Sequence, residues 1–160
     1  MRAVLVLALQ VLLCLAADGA GAADRRVALV IGNGAYAHAT RLPNPSNDAA
    51  AVAAALRRIG FAHVREAGDL GADAMRRELA LFSAEAAKAD IALVFFAGHG
   101  IEVDGQNYLI PTDARLADAA LVEIEAIPLA TVTSVIAGAS RLRLVILDAC
   151  RNNPFPSRME

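Results

Sequence analysis

Two residues in this chain, His99 and Cys150, pair side-chain types suited to covalent chemistry with positions at the ends of apolar runs. Each follows a short apolar run. Residues 91–96 lead into Ala97-Gly98-His99-Gly100, and residues 142–147 lead into Asp148-Ala149-Cys150-Arg151. A thiolate is a strong nucleophile, and an imidazolium beside it lowers the thiol pKa. The same imidazole can protonate a leaving amine. Together they suffice for acyl transfer. The glycines flanking His99 let the backbone approach a substrate closely. The amides of Gly100 and Cys150 are candidate donors to an oxyanion. Residue type and spacing alone leave a second reading open: a satisfied core histidine and an inert buried thiol.

Two acids accompany the pair. Asp148 lies two residues before Cys150, so strand alternation puts both on one face, with Ala149 opposite. A carboxylate there raises rather than lowers a thiol pKa. Its better use is recognition of a cationic substrate group. Asp48 can join it from a helix start, where a carboxylate is also favourable for the helix itself.

The elements that position these residues alternate strand and helix. Residues 27–31 are an apolar run fit for a strand buried on both faces. A loop rich in Gly, Asn and Pro follows, from 32 to 45. Ser46 is a candidate helix cap, with Ala49, Val52, Leu56 and Ile59 at helical spacing and Gly60 as a stop. Residues 62–67 fit a second strand. Asp73 is a candidate cap for a second helix, with Met75, Leu79, Phe82 and Ala86 on one face. Residues 91–96 are the clearest buried strand. Asp104-Gly105 signals a hairpin between 101–103 and 107–110. Pro128 suits the first turn of a third helix running to about Gly138. Residues 142–147 form another buried-type strand. The alternation predicts an α/β fold, a mostly parallel sheet with helices on both faces. Sites in such sheets form beyond the carboxyl ends of the strands, where the 32–48 loop, His99 and Cys150 all fall.

Composition narrows the class. The chain has 15 Lys+Arg against 17 Asp+Glu, a formal charge of −2, which argues against nucleic acid as a partner. At 57% hydrophobic residues it is not a disordered chain. Part of that apolar content is an N-terminal segment, residues 1–23. Arg2 supplies a positive start, residues 3–17 an apolar core, and Ala20-Gly21-Ala22 an A-x-A cleavage pattern. The reading is a signal peptide over residues 1–22 and an exported protein, periplasmic or secreted. No stable membrane span is expected after cleavage. Removing that segment takes Cys14 with it and leaves Cys150 without a disulfide partner. Gly32-Asn33-Gly34 after the first strand lacks the third glycine of a dinucleotide fingerprint.

The strings Phe95-Phe96-Ala97-Gly98-His99-Gly100 and Asp148-Ala149-Cys150-Arg151 resemble the caspase-like cysteine peptidases, of bacterial or metacaspase type. Ala28-Leu29-Val30-Ile31-Gly32-Asn33, Asn47-Asp48-Ala49, Asn107-Tyr108-Leu109-Ile110-Pro111 and Asn152-Asn153-Pro154-Phe155 add to it. As in the caspase signature, the histidine lies about 50 residues upstream of an A-C-R string. The chain departs from that signature with Asp148 for the glutamine and Asn152 for the final glycine.

The resemblance implies a caspase-like three-layer α/β/α fold, with a catalytic large-subunit domain over residues 26–155 and a tail over 156–160. It implies His99 and Cys150 as a catalytic dyad, with Gly100 and Cys150 as oxyanion donors. The acids corresponding to Asp48 and Asp148 line the primary specificity pocket in metacaspase-like members. That implies cleavage of a peptide or protein substrate after Arg or Lys. True caspases cleave after Asp using arginines, and Arg41 lies in the loop that would raise that reading. Some members need calcium. Glu102, Asp104, Asp113 and Asp118 carry suitable oxygens but no EF-hand spacing, so no cofactor and no metal is expected. His38 and His63 read as surface residues, and Asn33 and Asn47 as loop-shaping ones. Such folds continue past the cysteine, so this reading sees a sheet truncated after the cysteine strand and a missing small-subunit-like portion as a partner. It also keeps a catalytically silent, peptide-binding or regulatory module as the alternative to an enzyme.

Overall fold

The computed structural model describes residues 24–118 and 121–149. The segment expected to be a signal peptide, Cys150 and residues 151–160 lie outside them. Among the described residues the elements are, in order, β1 (Arg26–Gly32), α1 (Pro45–Arg58), β2 (His63–Gly68), α2 (Ala72–Ala86), β3 (Ile91–Ala97), β4 (Gly100–Val103), β5 (Gln106–Leu109), α3 (Val122–Glu125), β6 (Ile127–Pro128), α4 (Leu129–Val135) and β7 (Leu142–Asp148).

The main sheet has the order β2-β1-β3-β7 and is parallel throughout. A smaller antiparallel sheet, β4-β5-β6, stands beside it. Strands β1 and β3 are central and buried on both faces, as their unbroken apolar sequences require. On one face Leu29, Ile31, Val94 and Phe96 pack against Met75, Leu79 and Phe82 of α2 and Val132 and Val135 of α4. On the other, Ala28, Val30, Leu93 and Phe95 pack against Ala49, Ala53 and Leu56 of α1. This is the three-layer α/β/α arrangement. Phe82 and Phe96 are wholly buried, so truncating either to Ala is expected to cost about 3–5 kcal/mol. Among the described residues no helix is long and apolar enough to cross a membrane.

Three expectations are corrected. The α1 helix starts at Pro45, with Asn44 rather than Ser46 at the cap position and no side-chain cap; proline at the first position is preset for helix. Ile59 falls just past the helix end and is exposed. In α2 the capping carboxylate comes from afar: Asp113 Oδ1 accepts the Ala72 N–H at 2.9 Å, while Asp73 sits inside the first turn.

The strand β7 departs furthest from its expectation in burial. It pairs with β3 alone among the described residues and is the edge of the described sheet, as a sheet truncated after this strand implies. Alternation turns Leu142, Leu144 and Ile146 toward the face that α1 covers over β1, β2 and β3. At β7 that cover has ended, and the three are 44%, 37% and 45% exposed. Only Val145 and Ala149, on the opposite face, pack against the core.

Candidate active site

The carboxyl ends of β1, β2 and β3 are tied together by hydrogen bonds that continue past the strands. Asn33 N–H donates to Ala97 O at 2.8 Å, and Asp69 N–H to Gly32 O at 3.0 Å. Asn33 is fully buried and its amide is used at both ends. Its Oδ1 accepts the Leu70 N–H, and its Nδ2 donates to Leu70 O at 3.2 Å and is 3.5 Å from Ile110 O. Buried side-chain polar groups need such partners. Asn33 therefore shapes the loops, as expected.

The 33–45 loop is held from a second side by Asp69. Its Oδ1 accepts the N–H groups of Gly34 and Ala35, both at 2.8 Å. Asp69 itself has φ of 51°, a left-handed conformation that asparagine and aspartate tolerate better than most residues. Leu42 N–H closes the loop on Gly34 O at 3.0 Å. This frame carries Thr40 to the imidazole, where Thr40 O lies 2.7 Å from His99 Nε2. A carbonyl oxygen only accepts, so Nε2 carries the hydrogen. Nδ1 is then the ring nitrogen left to take up a proton.

His99 is half-buried and follows β3 by two residues. Its main-chain N–H donates to Tyr36 Oη at 2.8 Å, and the Tyr36 and His99 rings lie 4.5 Å apart, tilted by 51°. Gly98 has to be glycine here, since a Cβ would stand 2.6 Å from Tyr36 Oη and 2.8 Å from Phe96 Cζ. Burial pushes the Tyr36 phenol well above its ordinary value. The hydrogen bond from His99 N–H works against that shift, and the Asp69 charge adds to it. Tyr36 is therefore a neutral hydroxyl at any working pH.

The register between β3 and β7 brings the second motif alongside. Ala97 pairs with Asp148, and Gly98 N–H donates to Asp148 O at 3.2 Å. Gly98 and His99 thus run beside Asp148 and Ala149, where the described chain ends. Cys150 lies outside the described residues. The Gly100–Leu109 register, with Ile110 N–H bonded to His99 O, makes Gly100 a non-hydrogen-bonded position of the ladder. Its N–H therefore points away from β5. A cavity of about 160 Å³ opens here, lined by Gly100, Leu109, Leu129, Leu147 and Ala149.

Asp148 is exposed, on the same face of the sheet as Leu144 and Ile146. Asp48 is half-buried in the first turn of α1, the helix that covers that face. Both acids thus stand at the carboxyl ends of the strands on one side of the sheet. Arg41 is exposed and, with Gly34, Pro43, Ser46 and Asp69, lines a separate cavity of about 340 Å³. His38 and His63 are exposed, as expected.

The acids raised as oxygen ligands do not converge. Asp113 is engaged at the start of α2. Asp104 occupies the β4–β5 turn with φ of 51°. Among the described residues no group of three or more His, Cys, Asp or Glu could hold a metal ion.

In a comparison across known families, the model described as the caspase domain, of peptidase C14, matches residues 25–160, in agreement with the fold. The chain belongs to the caspase domain family. It is thereby of the cysteine-peptidase kind, a hydrolase class. No curated protein matches it. Within this caspase domain, sequence reasoning missed Thr40, Tyr36 and Asp69. Thr40 acts through its main chain, which has no side-chain signature. Tyr36 and Asp69 lie in or beside loops, where no periodicity marks a buried or anchoring residue.

Proposed function

We propose that this caspase domain is a cysteine endopeptidase that cleaves peptide bonds after Arg or Lys through a His99–Cys150 dyad. The observation that carries the reading is the His99 imidazole, held by Thr40 O through Nε2 at the strand end that runs beside Asp148 and Ala149. With Nδ1 left as the basic nitrogen, the imidazole takes the thiol proton and stabilises the thiolate. The Cys150 sulfur attacks the scissile carbonyl carbon. The N–H groups of Gly100 and Cys150 receive the oxyanion. His99 then gives its proton to the leaving amine, and an acyl-enzyme remains. Water, deprotonated by His99, attacks the acyl carbon, and the thiolate leaves.

Asp48 and Asp148 give the substrate-binding side its charge. Two carboxylates on one face attract a guanidinium or ammonium side chain and repel a carboxylate. Export through the N-terminal signal is part of the same proposal, as is activity without a metal cofactor.

The test is hydrolysis of fluorogenic peptides ending in Arg, Lys or Asp, by the wild type and by Cys150→Ala. Arg- and Lys-selective turnover that disappears with Cys150→Ala supports the proposal. Turnover that survives the substitution overturns it. A second reading, a catalytically silent module that binds a peptide or partner protein, draws support from the exposed stripe of Leu142, Leu144 and Ile146. It requires a folded protein that binds the peptides and turns none over.

A further inference from the structure

The β4–β5 ladder is interrupted beside His99. The register pairs Gly100 with Leu109, so one step further pairs His99 with Ile110. A hydrogen-bonded antiparallel pair exchanges two backbone bonds. One is present, from Ile110 N–H to His99 O at 3.0 Å. The reciprocal bond is replaced by a side chain: His99 N–H donates to Tyr36 Oη at 2.8 Å, and Tyr36 Oη donates to Ile110 O at 3.2 Å. The Tyr36 hydroxyl thus spends its one hydrogen on Ile110 and accepts from His99. It is a neutral wedge inside the ladder, and its ring stands beside the imidazole.

We propose that Tyr36 is the positioning residue of the catalytic histidine: its hydroxyl, inserted between His99 N–H and Ile110 O, sets where the imidazole and the Gly100 amide stand. The inference rests on the dyad reading above and deepens it. Removing the hydroxyl leaves two outcomes for the backbone. Either His99 N–H and Ile110 O close on each other, which moves His99 toward β5, or His99 N–H loses its partner and Ile110 O keeps only the 3.5 Å contact from Asn33 Nδ2. In each case the imidazole leaves its place, and a small misplacement at a reacting group is costly in rate.

The experiment uses the whole chain in a Cys14→Ser background, so that Cys150 is the single thiol. Alkylation by iodoacetamide, a small neutral reagent, is followed against pH in Tyr36 and Tyr36→Phe proteins. Hydrolysis of an Arg peptide is measured on the same samples. An imidazolium held beside the thiol makes Cys150 reactive well below the ordinary thiol pKa of about 8.5. Tyr36→Phe is expected to move that profile up by roughly one pH unit. It is also expected to lower kcat about tenfold, with KM within about twofold. Tyr36→Met, which also lacks the hydroxyl, is expected to give the same upward shift, and serves if Tyr36→Phe does not fold. Unchanged alkylation and kcat in a folded Tyr36→Phe protein overturn the proposal, even if its melting temperature falls, because a merely structural hydroxyl moves only the latter. A Tyr36 protein whose thiol shows no reactivity below the ordinary pKa overturns the dyad reading itself.

Discussion

His99 Nε2 and the Thr40 carbonyl oxygen are 2.7 Å apart, across 59 positions of sequence. That contact assigns the hydrogen on the imidazole and leaves Nδ1 as its base. It rests in turn on Asp69, which holds the loop by the amides of Gly34 and Ala35. Replacing Asp69 by Asn weakens a charge-assisted pair of bonds to a neutral one. The expected result is a loss of kcat of about tenfold for Asp69→Asn, with binding of an Arg peptide little changed. Steady-state kinetics on that variant check it, and an unchanged kcat contradicts it.

Asp48 and Asp148 are expected to act as charges on substrate rather than on the thiol. Asp48→Asn and Asp148→Asn should each lower kcat/KM for Arg peptides by about tenfold or more. The preference for Arg over Asp peptides should shrink with each. The pH profile of Cys150 alkylation should stay close to wild type in Asp48→Asn. A selectivity that ignores both substitutions removes these acids from the specificity pocket and turns attention to Arg41.

Asp113 serves the start of α2. Its carboxylate accepts the Ala72 N–H, and a Cβ on Gly71 would collide with that carboxylate. Asp113→Ala should cost about 1 kcal/mol of stability. In a domain of this size that is a drop of a few degrees in Tm. Addition of calcium should not alter the effect. A Tm difference that appears only with calcium present would make Asp113 a ligand instead.

Asp90 gives the fold an acid-sensitive tie. Its carboxylate accepts the Arg25 N–H at 2.9 Å and the Ser140 hydroxyl at 2.8 Å, far from the candidate site. Those two bonds, with Arg141 nearby, hold its pKa below the ordinary 3.8. The charged form is favoured in the folded state. Its contribution is therefore present above the unfolded value and lost as pH falls through the lowered one. Melting measured from pH 6 down to pH 2.5 should show a shallower acid decline in Asp90→Asn than in wild type. Activity at neutral pH should not change. Identical declines would contradict the assignment.

The parts of this molecule legible in its sequence are those with local causes. The runs in β1 and β3 are apolar without a break because both faces are covered, and both were readable as strands. Met75, Leu79, Phe82 and Ala86 mark one face of α2 and are buried together. His99 could be placed at a strand end from its own neighbours. What could not be read depends on distant partners. An apolar run does not reveal whether a second layer covers it, so β7 looked buried, although α1 covers only β1, β2 and β3. Asp113 reaches α2 from 41 positions away, and no local pattern announces such a cap. The contact from Thr40 is made by the main chain, and the wedge from Tyr36 replaces a ladder bond that sequence gives no reason to think missing.

The central claim is a thiol activated by His99 in a peptidase selective for basic residues. The most direct measurement compares hydrolysis of Arg- and Asp-terminated fluorogenic peptides by wild type, His99→Ala and Cys150→Ala, with and without calcium. The account predicts turnover of the Arg peptide in wild type, with or without calcium. Each substitution should reduce it by on the order of 10³-fold or more, and the double variant should be no worse than either single. Arg-peptide turnover that persists in Cys150→Ala, or selectivity for the Asp peptide, would contradict it.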